Sequence, residues 1–537
     1  MAIAIAAATP STASPLGDYV QARAAQMQGD EARSARLFAA MAAADPNDRT
    51  IARRAIATAI QSGQGELAVS LARRLPLDQL PIDARLMLAA EALRTGKVKD
   101  AAAILDKGIT STEADLFAPL VKAWELTARG KDSGPASLAN LPSENPLSSI
   151  ADEQRAAMLF SLGKADEALP LAKAVVAKGS GRAARLRIAY ADALLRLKRT
   201  ADALAMLQGS DEALTAARAR VQAGRPLGAV IATPAAGYAE MLIALAIDLG
   251  RDDSKALPIA LTQVARHANP GNTEATILLA LLLDGDDRSG DALALLSAIP
   301  ADDLLAGEAL DVETRLLTDR KQYEQALGRA RAAAASPAAG PQDYARLANI
   351  LGDMDRHAEA AAAYGEAISR TAKGQGGNDI WTFHLLRAAS LEQADHWKEA
   401  KAELANALKI EPENPLLLNF LGYGKLERGE DIEAAEAMIR KASALKPDDA
   451  SITDSLGWAL FKRGRLPEAI ETLTRAAAGD PAQAEIHEHL GDALYTSGRR
   501  IEARFSWRAA LVTAEDKMKD RIERKLELGL SPATAAP

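Results

Sequence analysis

The sequence predicts an all-α array of about fourteen helical hairpins, and three observations carry that prediction. Small residues recur along the chain at a step of 34 or 35; glycines and prolines punctuate it at the same step; and the apolar residues between them follow helical spacing.

The step is clearest near the C-terminal end. Leu421-Gly422 returns as Leu456-Gly457 and Leu490-Gly491. Ala435, Ala469 and Ala503 lie 34 apart, as do Ala442, Ala476 and Ala510, while Pro412, Pro447 and Pro481 are spaced 35 and 34. The one extra residue falls in Gly429-Glu430-Asp431, a turn, where an insertion costs least. A glycine inside a helix costs about 1 kcal/mol relative to alanine, so Gly422, Gly457 and Gly491 need an offsetting gain. Close approach of the second helix supplies it, with Ala469 and Ala503 expected on the other side of the contact. Gly429, Gly464 and Gly498 stand where each first helix must end in a left-handed residue, and Pro447 and Pro481 stop the second helices.

This period and these residues resemble the tetratricopeptide repeat (TPR), whose pattern runs W-x2-L-G-x2-Y, A-x3-F, P. Leu456-Gly457-x2-Leu460, Ala469-x3-Leu473 and Pro481 follow it, and so do Leu490-Gly491-x2-Leu494 and Ala503-x3-Trp507. Thr453 and His487 replace the tryptophan and Lys425 the tyrosine, which lightens the outer packing. The resemblance implies a right-handed α-α superhelix, an elongated spiral in which each hairpin touches only its neighbours.

Taken in order, residues 1–15 hold a short apolar run and then small residues and prolines, like the end of a secretory signal without its positive start. Export to the periplasm of a Gram-negative cell is the expectation; an unstructured tail on a cytoplasmic protein is the alternative. Residues 16–129 carry repeats marked by Ser34, Ala68 and Ala102, and 130–150 are a Gly/Pro/Ser-rich break. Residues 151–223 are degenerate repeats marked by Ala168 and Ala203. A second break runs from Gly224 to Gly237, and residues 238–372 keep the step through Pro258, Ala292, Ala326 and Ala360. A third, Lys373 to Asn378, absorbs a surplus of six residues before Ala400. All three breaks read as bends rather than linkers. Residues 381–515 are the well-formed repeats, and 516–530, with Met518, Ile522 and Leu526 on one side, form a capping helix.

Composition excludes several chemistries. With no cysteine there is no disulfide, thiol nucleophile or thiolate metal site. No stretch reaches the roughly 20 apolar residues that span a bilayer. Net charge is −8 with both signs interspersed, so a nucleic-acid surface is not expected; the densest charged tract, Glu515 to Glu527, reads as a solvated helix face. His487 and His489 are two apart and point to opposite sides of a helix, unsuited to one metal. Neither a nucleophile elbow nor a phosphate loop is present, so no enzyme, cofactor or metal is expected.

In the TPR family the first helices line a concave groove that receives a peptide or partner helix. On that resemblance the groove-facing residues are Asn419, Tyr423 and Leu426; Asp454, Trp458, Phe461 and Lys462; and Glu488, Asp492 and Tyr495, an aromatic and acidic strip. Residues 381–537 hold 10 of the 20 aromatics, which singles this region out as the one with interface anchors. Packing between helices is the competing role for Tyr423 and Trp458, and the expected one for Phe505 and Trp507. Acid facing acid would repel the acidic chaperone tails that some TPR adaptors clamp; a basic or apolar segment suits the strip better.

Asp454-Ser-Leu-Gly-Trp458 with Glu488-His-Leu-Gly-Asp492 resembles, over residues 381–515, exported bacterial TPR adaptors for carboxyl-terminal processing proteases. The resemblance implies a protein-binding scaffold with such a protease as partner. The lipid-bearing cysteine of the family's lipoproteins is missing, so their membrane anchoring does not carry over. The alternative is a cytoplasmic assembly or chaperone-like TPR factor. Self-association is left open.

Overall fold

A computed structural model of the chain describes residues 15–106, 112–139, 141, 145–179, 181–251, 254–371, 380–532, 534 and 536. Residues 1–14, with the signal-like run, and the Lys373–Asn378 connection lie outside the described residues. Among the described residues there are helices and no strand, and no helix is long and apolar enough to cross a membrane. The chain divides into two compact units, residues 1–330 and 331–537.

In the first unit, hairpins pair α1 (Pro15–Met27) with α2 (Glu31–Ala44), α3 (Arg49–Gln61) with α4 (Gly65–Ala72), and α5 (Ile82–Arg94) with α6 (Val98–Asp106). Then come α7 (Thr112–Ala128) with α8 (Ser133–Ser137), α9 (Ala151–Ser161) with α10 (Ala165–Ala177), and α11 (Ala183–Arg196) with α12 (Thr200–Met206). A lone α13 (Glu212–Gln222) precedes α14 (Pro234–Leu249) with α15 (Ala256–Ala268), α16 (Thr273–Asp284) with α17 (Ser289–Ser297), and α18 (Ala306–Asp319) with α19 (Tyr323–Ala334), whose last residues run past the division at residue 330.

The second unit pairs α20 (Pro341–Asp353) with α21 (His357–Arg370), α22 (Ile380–Gln393) with α23 (Trp397–Ile410), and α24 (Pro415–Glu427) with α25 (Ile432–Leu445). It continues with α26 (Ala450–Lys462) and α27 (Leu466–Gly479), then α28 (Ala484–Thr496) and α29 (Arg500–Ala510), and ends on a single α30 (Asp516–Leu528). Among the described residues this makes fourteen hairpins, the number the repeat step predicts.

The phased positions are where the helices touch. Ser34, Ala68, Ala102, Ala168, Ala203, Pro258, Ala292, Ala326, Ala360, Ala400, Ala435, Ala469 and Ala503 are all buried. A Cβ on Gly422 would lie 2.7 Å from Ile439, one on Gly457 2.6 Å from Leu473, and one on Gly491 would collide with Trp507. The close approach is therefore as expected, but its nearest side chains stand four residues beyond Ala435, Ala469 and Ala503.

Gly429, Gly464 and Gly498 end α24, α26 and α28 at φ +64°, +74° and +89°. In several hairpins the same left-handed corner is made by a residue with a side chain: Lys198, Asp287, Lys321, Asp355 and Asp395, at φ between 57° and 61°. Side-chain caps begin α24 and α26. Asn414 accepts from the backbone of Leu416 and Leu417 ahead of α24, and Asp449 accepts from that of Ile452 ahead of α26.

The first unit departs from a nearest-neighbour array. α14 and α15 pack on α3, α5 and α7, elements more than a hundred residues earlier. Tyr238 donates to the carbonyl of Leu86 at 3.2 Å, Gln61 to that of Ala256 at 2.6 Å, and a Cβ on Gly237 would collide with the Trp124 ring. The expectation that each hairpin touches only its neighbours is corrected here: apolar α14, with ten buried residues, finds a second surface to cover. The break from Gly224 to Gly237 is part of that core, since Leu227 and Ile231 are buried in it.

Candidate functional site

In the second unit the first helices α24, α26 and α28 and the final α30 build the region that the sequence marks. Glu488 and Asp492 are one turn apart on α28, and both are fully buried. Lys525 of α30 lies between them, 2.6 Å from Glu488 and 2.8 Å from Asp492, with no exposed surface of its own. Arg521 adds a bidentate pair to Glu488 at 2.7 Å, and Asp492 also accepts from the Trp507 indole at 2.9 Å and the Ala536 amide at 3.0 Å.

Two expectations are corrected by this arrangement. The Glu515–Glu527 tract is not wholly a solvated face, because Lys525 and Arg521 turn inward to neutralise α28. The acids on α28 in turn give no repulsive front, so the argument against an acidic partner loses its basis there. Ile522 is buried with Met518, Leu526 and Leu530 packed around it. Burial works against the Glu488 carboxylate, but Arg521 and Lys525 outweigh it and hold its pKa below the ordinary value. For Asp492 burial wins over Lys525, and its pKa is raised.

On α26, Trp458 is only 1% exposed. Its ring stacks on Phe461 at 4.8 Å and on His489 of α28 at 4.1 Å, its indole nitrogen donates to Glu427 at 2.9 Å, and the Lys462 ammonium sits 4.8 Å above it. Asp454, also buried, accepts from His489 Nδ1 at 2.9 Å. Burial opposes charge on this imidazole, but Asp454 overcomes it and raises the pKa. His487, two residues away, reaches the Pro481 carbonyl at 3.0 Å, so the two histidines part as predicted.

Of the ten residues the sequence singles out, Leu426, Asp454, Trp458, Glu488 and Asp492 are buried in the fold. Asn419, Tyr423, Phe461 and Tyr495 are half-buried, and Lys462 is exposed. Tyr423 reaches Glu485 at 3.4 Å, and its pKa lies well above the ordinary phenol because it is buried beside Glu485 and Glu427. Phe461 borders two apolar clusters, one shared with Tyr423 and the other with Tyr495, so the accessible aromatics form a continuous edge over α24, α26 and α28. Trp507 is buried as expected, whereas Phe505 is 64% exposed, because it stands two residues from Trp507 on the far side of α29.

Two charged clusters in the first unit have no sequence signature. His267 lies 3.0 Å from Glu91, and with Glu66 they bring three ligand-type atoms within 4.8 Å of one another. Arg94 bonds both carboxylates, at 2.7 and 3.0 Å, and so supplies the positive charge that an ion would bring. Elsewhere Arg182 pairs with Glu153, Glu240 and Glu274, and Arg185 with Glu240 at 3.0 Å. Three carboxylates share two guanidiniums in a buried place. Desolvation accordingly lifts the Glu153 pKa to about 7 despite Arg182.

Two segments match family models of the repeat: residues 457–498 match "TPR repeat", and residues 156–216 match "Tetratricopeptide repeat". Over these two segments the chain carries tetratricopeptide repeats. No curated protein gives a significant match. Among solved structures, the chain is similar to the Cut9–Hcn1 hetero-tetramer of the APC/C, at 16% identity and TM-score 0.37 over 97% of this chain and 99% of that one. It is also similar to yeast Tom70, at 13% identity and TM-score 0.32 over 96% and 95%. YrrB, described as a TPR protein with an unusual peptide-binding site, matches at 23% identity and TM-score 0.26 over 34% of this chain and 91% of that one.

Proposed function

We propose that the chain is a non-enzymatic scaffold that holds a segment of a partner protein against the first helices of its second unit. The observation that carries this reading is the continuous half-buried edge Tyr423–Phe461–Tyr495, flanked by exposed Lys462, above a layer whose charges are satisfied internally. Aromatic rings on a rigid support offer area without freezing many rotors. The first unit favours this choice of place, because its early first helices α3, α5 and α7 are already covered by α14 and α15.

Within that reading the partner is a carboxyl-terminal processing protease or its substrate, and the compartment is the periplasm. Both rest on the resemblance of the Asp454–Trp458 and Glu488–Asp492 runs and on the signal-like start. Cell fractionation of the full-length gene product tests the compartment: recovery with cytosolic markers alone would favour the cytoplasmic assembly factor instead.

Crosslinking capture with wild type and with Tyr423→Ala plus Phe461→Ala tests the site. These two residues are preferred to Trp458, whose removal would open the core. The double substitution is expected to lose one set of partners and some stability, with a helical circular-dichroism spectrum like that of wild type showing that the unit stays folded. Identical sets would reject the edge.

A further inference from the structure

The same aromatic edge has a neighbour from the chain itself. α30 ends at Gly529, at φ +84°, where a Cβ would collide with the Tyr495 hydroxyl, so only glycine lets the backbone pass this close to α28. Beyond Gly529, Thr534 is tied back to Gly529 and Ser531. Its amide donates to the Ser531 carbonyl at 3.0 Å, its hydroxyl to the Gly529 carbonyl at 3.2 Å, and it accepts from the Ser531 amide at 2.9 Å.

Ala536 lies in the site. Ala536 is buried in the cluster of Leu426, Trp458 and Leu460, with Tyr423 and Phe461 at the margin, and its amide donates to Asp492 at 3.0 Å. Thr534 is buried as well. Neither residue carries charge, which fits a place where Asp492 is already paired with Lys525.

We propose that the segment containing Ser531, Thr534 and Ala536 is a built-in occupant of the interaction face. The partner that displaces it presents the same chemistry: an uncharged, turn-forming protein segment of Ser, Thr, Pro and Ala. This rests on the interaction reading above and names the chemistry of its ligand. Buried Thr534, tied back to Ser531 and Gly529, prearranges the backbone, and the buried Ala536 methyl and its amide bond to Asp492 then hold it against the freedom regained on release. The segment competes because it is tethered, and a tethered occupant acts at an effective concentration of about millimolar. It therefore excludes weak encounters and yields to a partner that also engages Tyr423 and Phe461.

The test uses the full chain and a fluorescein-labelled synthetic peptide, Ser-Pro-Ala-Thr-Ala-Ala-Pro, followed by anisotropy. Ala536→Arg cannot fit the buried site and expels the segment. The peptide is expected to bind this variant at least about tenfold more tightly than wild type, and to lose that gain when Tyr423→Ala and Phe461→Ala are added. An Ala536→Arg protein that melts as wild type does but binds the peptide no better would overturn the proposal.

A second measurement serves if that variant fails to fold. Because the chain has no cysteine, Ala536→Cys gives a single thiol, with Val512→Cys, at an 82% exposed position, as control. The Ala536→Cys thiol is expected to react with a disulfide reagent at least about tenfold more slowly than the control, and equal rates would overturn the docking. Failure here with partner capture still sensitive to Tyr423 and Phe461 would leave the interaction reading standing. Insensitive capture would remove that reading whatever the segment does.

Discussion

Replacing Lys525 by methionine removes one charge from a buried trio and leaves the two carboxylates unequal. Glu488 keeps its bidentate Arg521, whereas Asp492 keeps only two uncharged donors, the Trp507 indole and the Ala536 amide. Breaking a buried ion pair from one side costs about 3–5 kcal/mol. Asp492 can limit the loss by taking up a proton, and protonating an ordinary carboxyl at pH 7 costs about 4 kcal/mol. The expected loss at pH 7 is therefore about 3–4 kcal/mol.

The pH dependence follows from the same step. Without Lys525 the Asp492 pKa, already raised by burial, rises further, so the variant recovers stability as pH falls and the deficit shrinks towards pH 5. Urea unfolding followed by tryptophan fluorescence reads the relevant unit, since Trp381, Trp397, Trp458 and Trp507 all lie in residues 331–537 and only Trp124 lies outside. Arg499→Ala, which breaks an exposed pair with Glu502, is the control and should leave the transition unmoved. A Lys525→Met loss below about 1 kcal/mol at pH 7, or one that stays constant down to pH 5, would refute the account of this trio.

Other substitutions test the packing and the second buried cluster. Gly491→Ala pushes a methyl into Trp507 and is expected to cost about 1–3 kcal/mol, while Gly328→Ala, with open space around it in α19, should gain about 0.5–1 kcal/mol; paired denaturant curves decide both. Trp507→Ala should cost about 3–5 kcal/mol and Phe505→Ala close to nothing; comparable losses would mean that α29 is rotated from the orientation described. For Glu153 the folded pKa, about 7, lies above the unfolded one, so its contribution is complete below pH 4.5 and is lost as pH rises through 7. Melting curves between pH 5 and pH 8 should show that decline in wild type and a flatter profile in Glu153→Gln.

The repeat registry was legible because the positions that set it are those where helices approach most closely. Only small residues fit there, so Ala435, Ala469 and Ala503 or Gly422, Gly457 and Gly491 survive in phase while their neighbours drift. Contacts between distant segments left no such mark. Nothing local to α14 says that it will lie on α5 and α7, and the division near residue 330 is invisible because Ala292, Ala326 and Ala360 keep step across it. The candidate site was half legible. The residues that the sequence singles out lie on α24, α26 and α28, but Lys525 reads as one more charge on a polar helix until α30 is seen against α28. The exposure of Phe505 is not legible, because burial on a short helix depends on rotation, which alternating aromatics two residues apart do not fix.

The corners at Lys198, Asp287, Lys321, Asp355 and Asp395 hold backbone angles that glycine adopts freely and a side chain does not. Each forgoes up to about 1 kcal/mol relative to a glycine corner, and lysine, whose side chain does not bond its own turn as aspartate's does, forgoes the most. Lys321→Gly should raise the melting temperature without touching a helix or the edge over α24, α26 and α28. An engineer seeking a hardier molecule would begin at these exposed bends, where recoverable stability lies apart from both the interior and the docking surface.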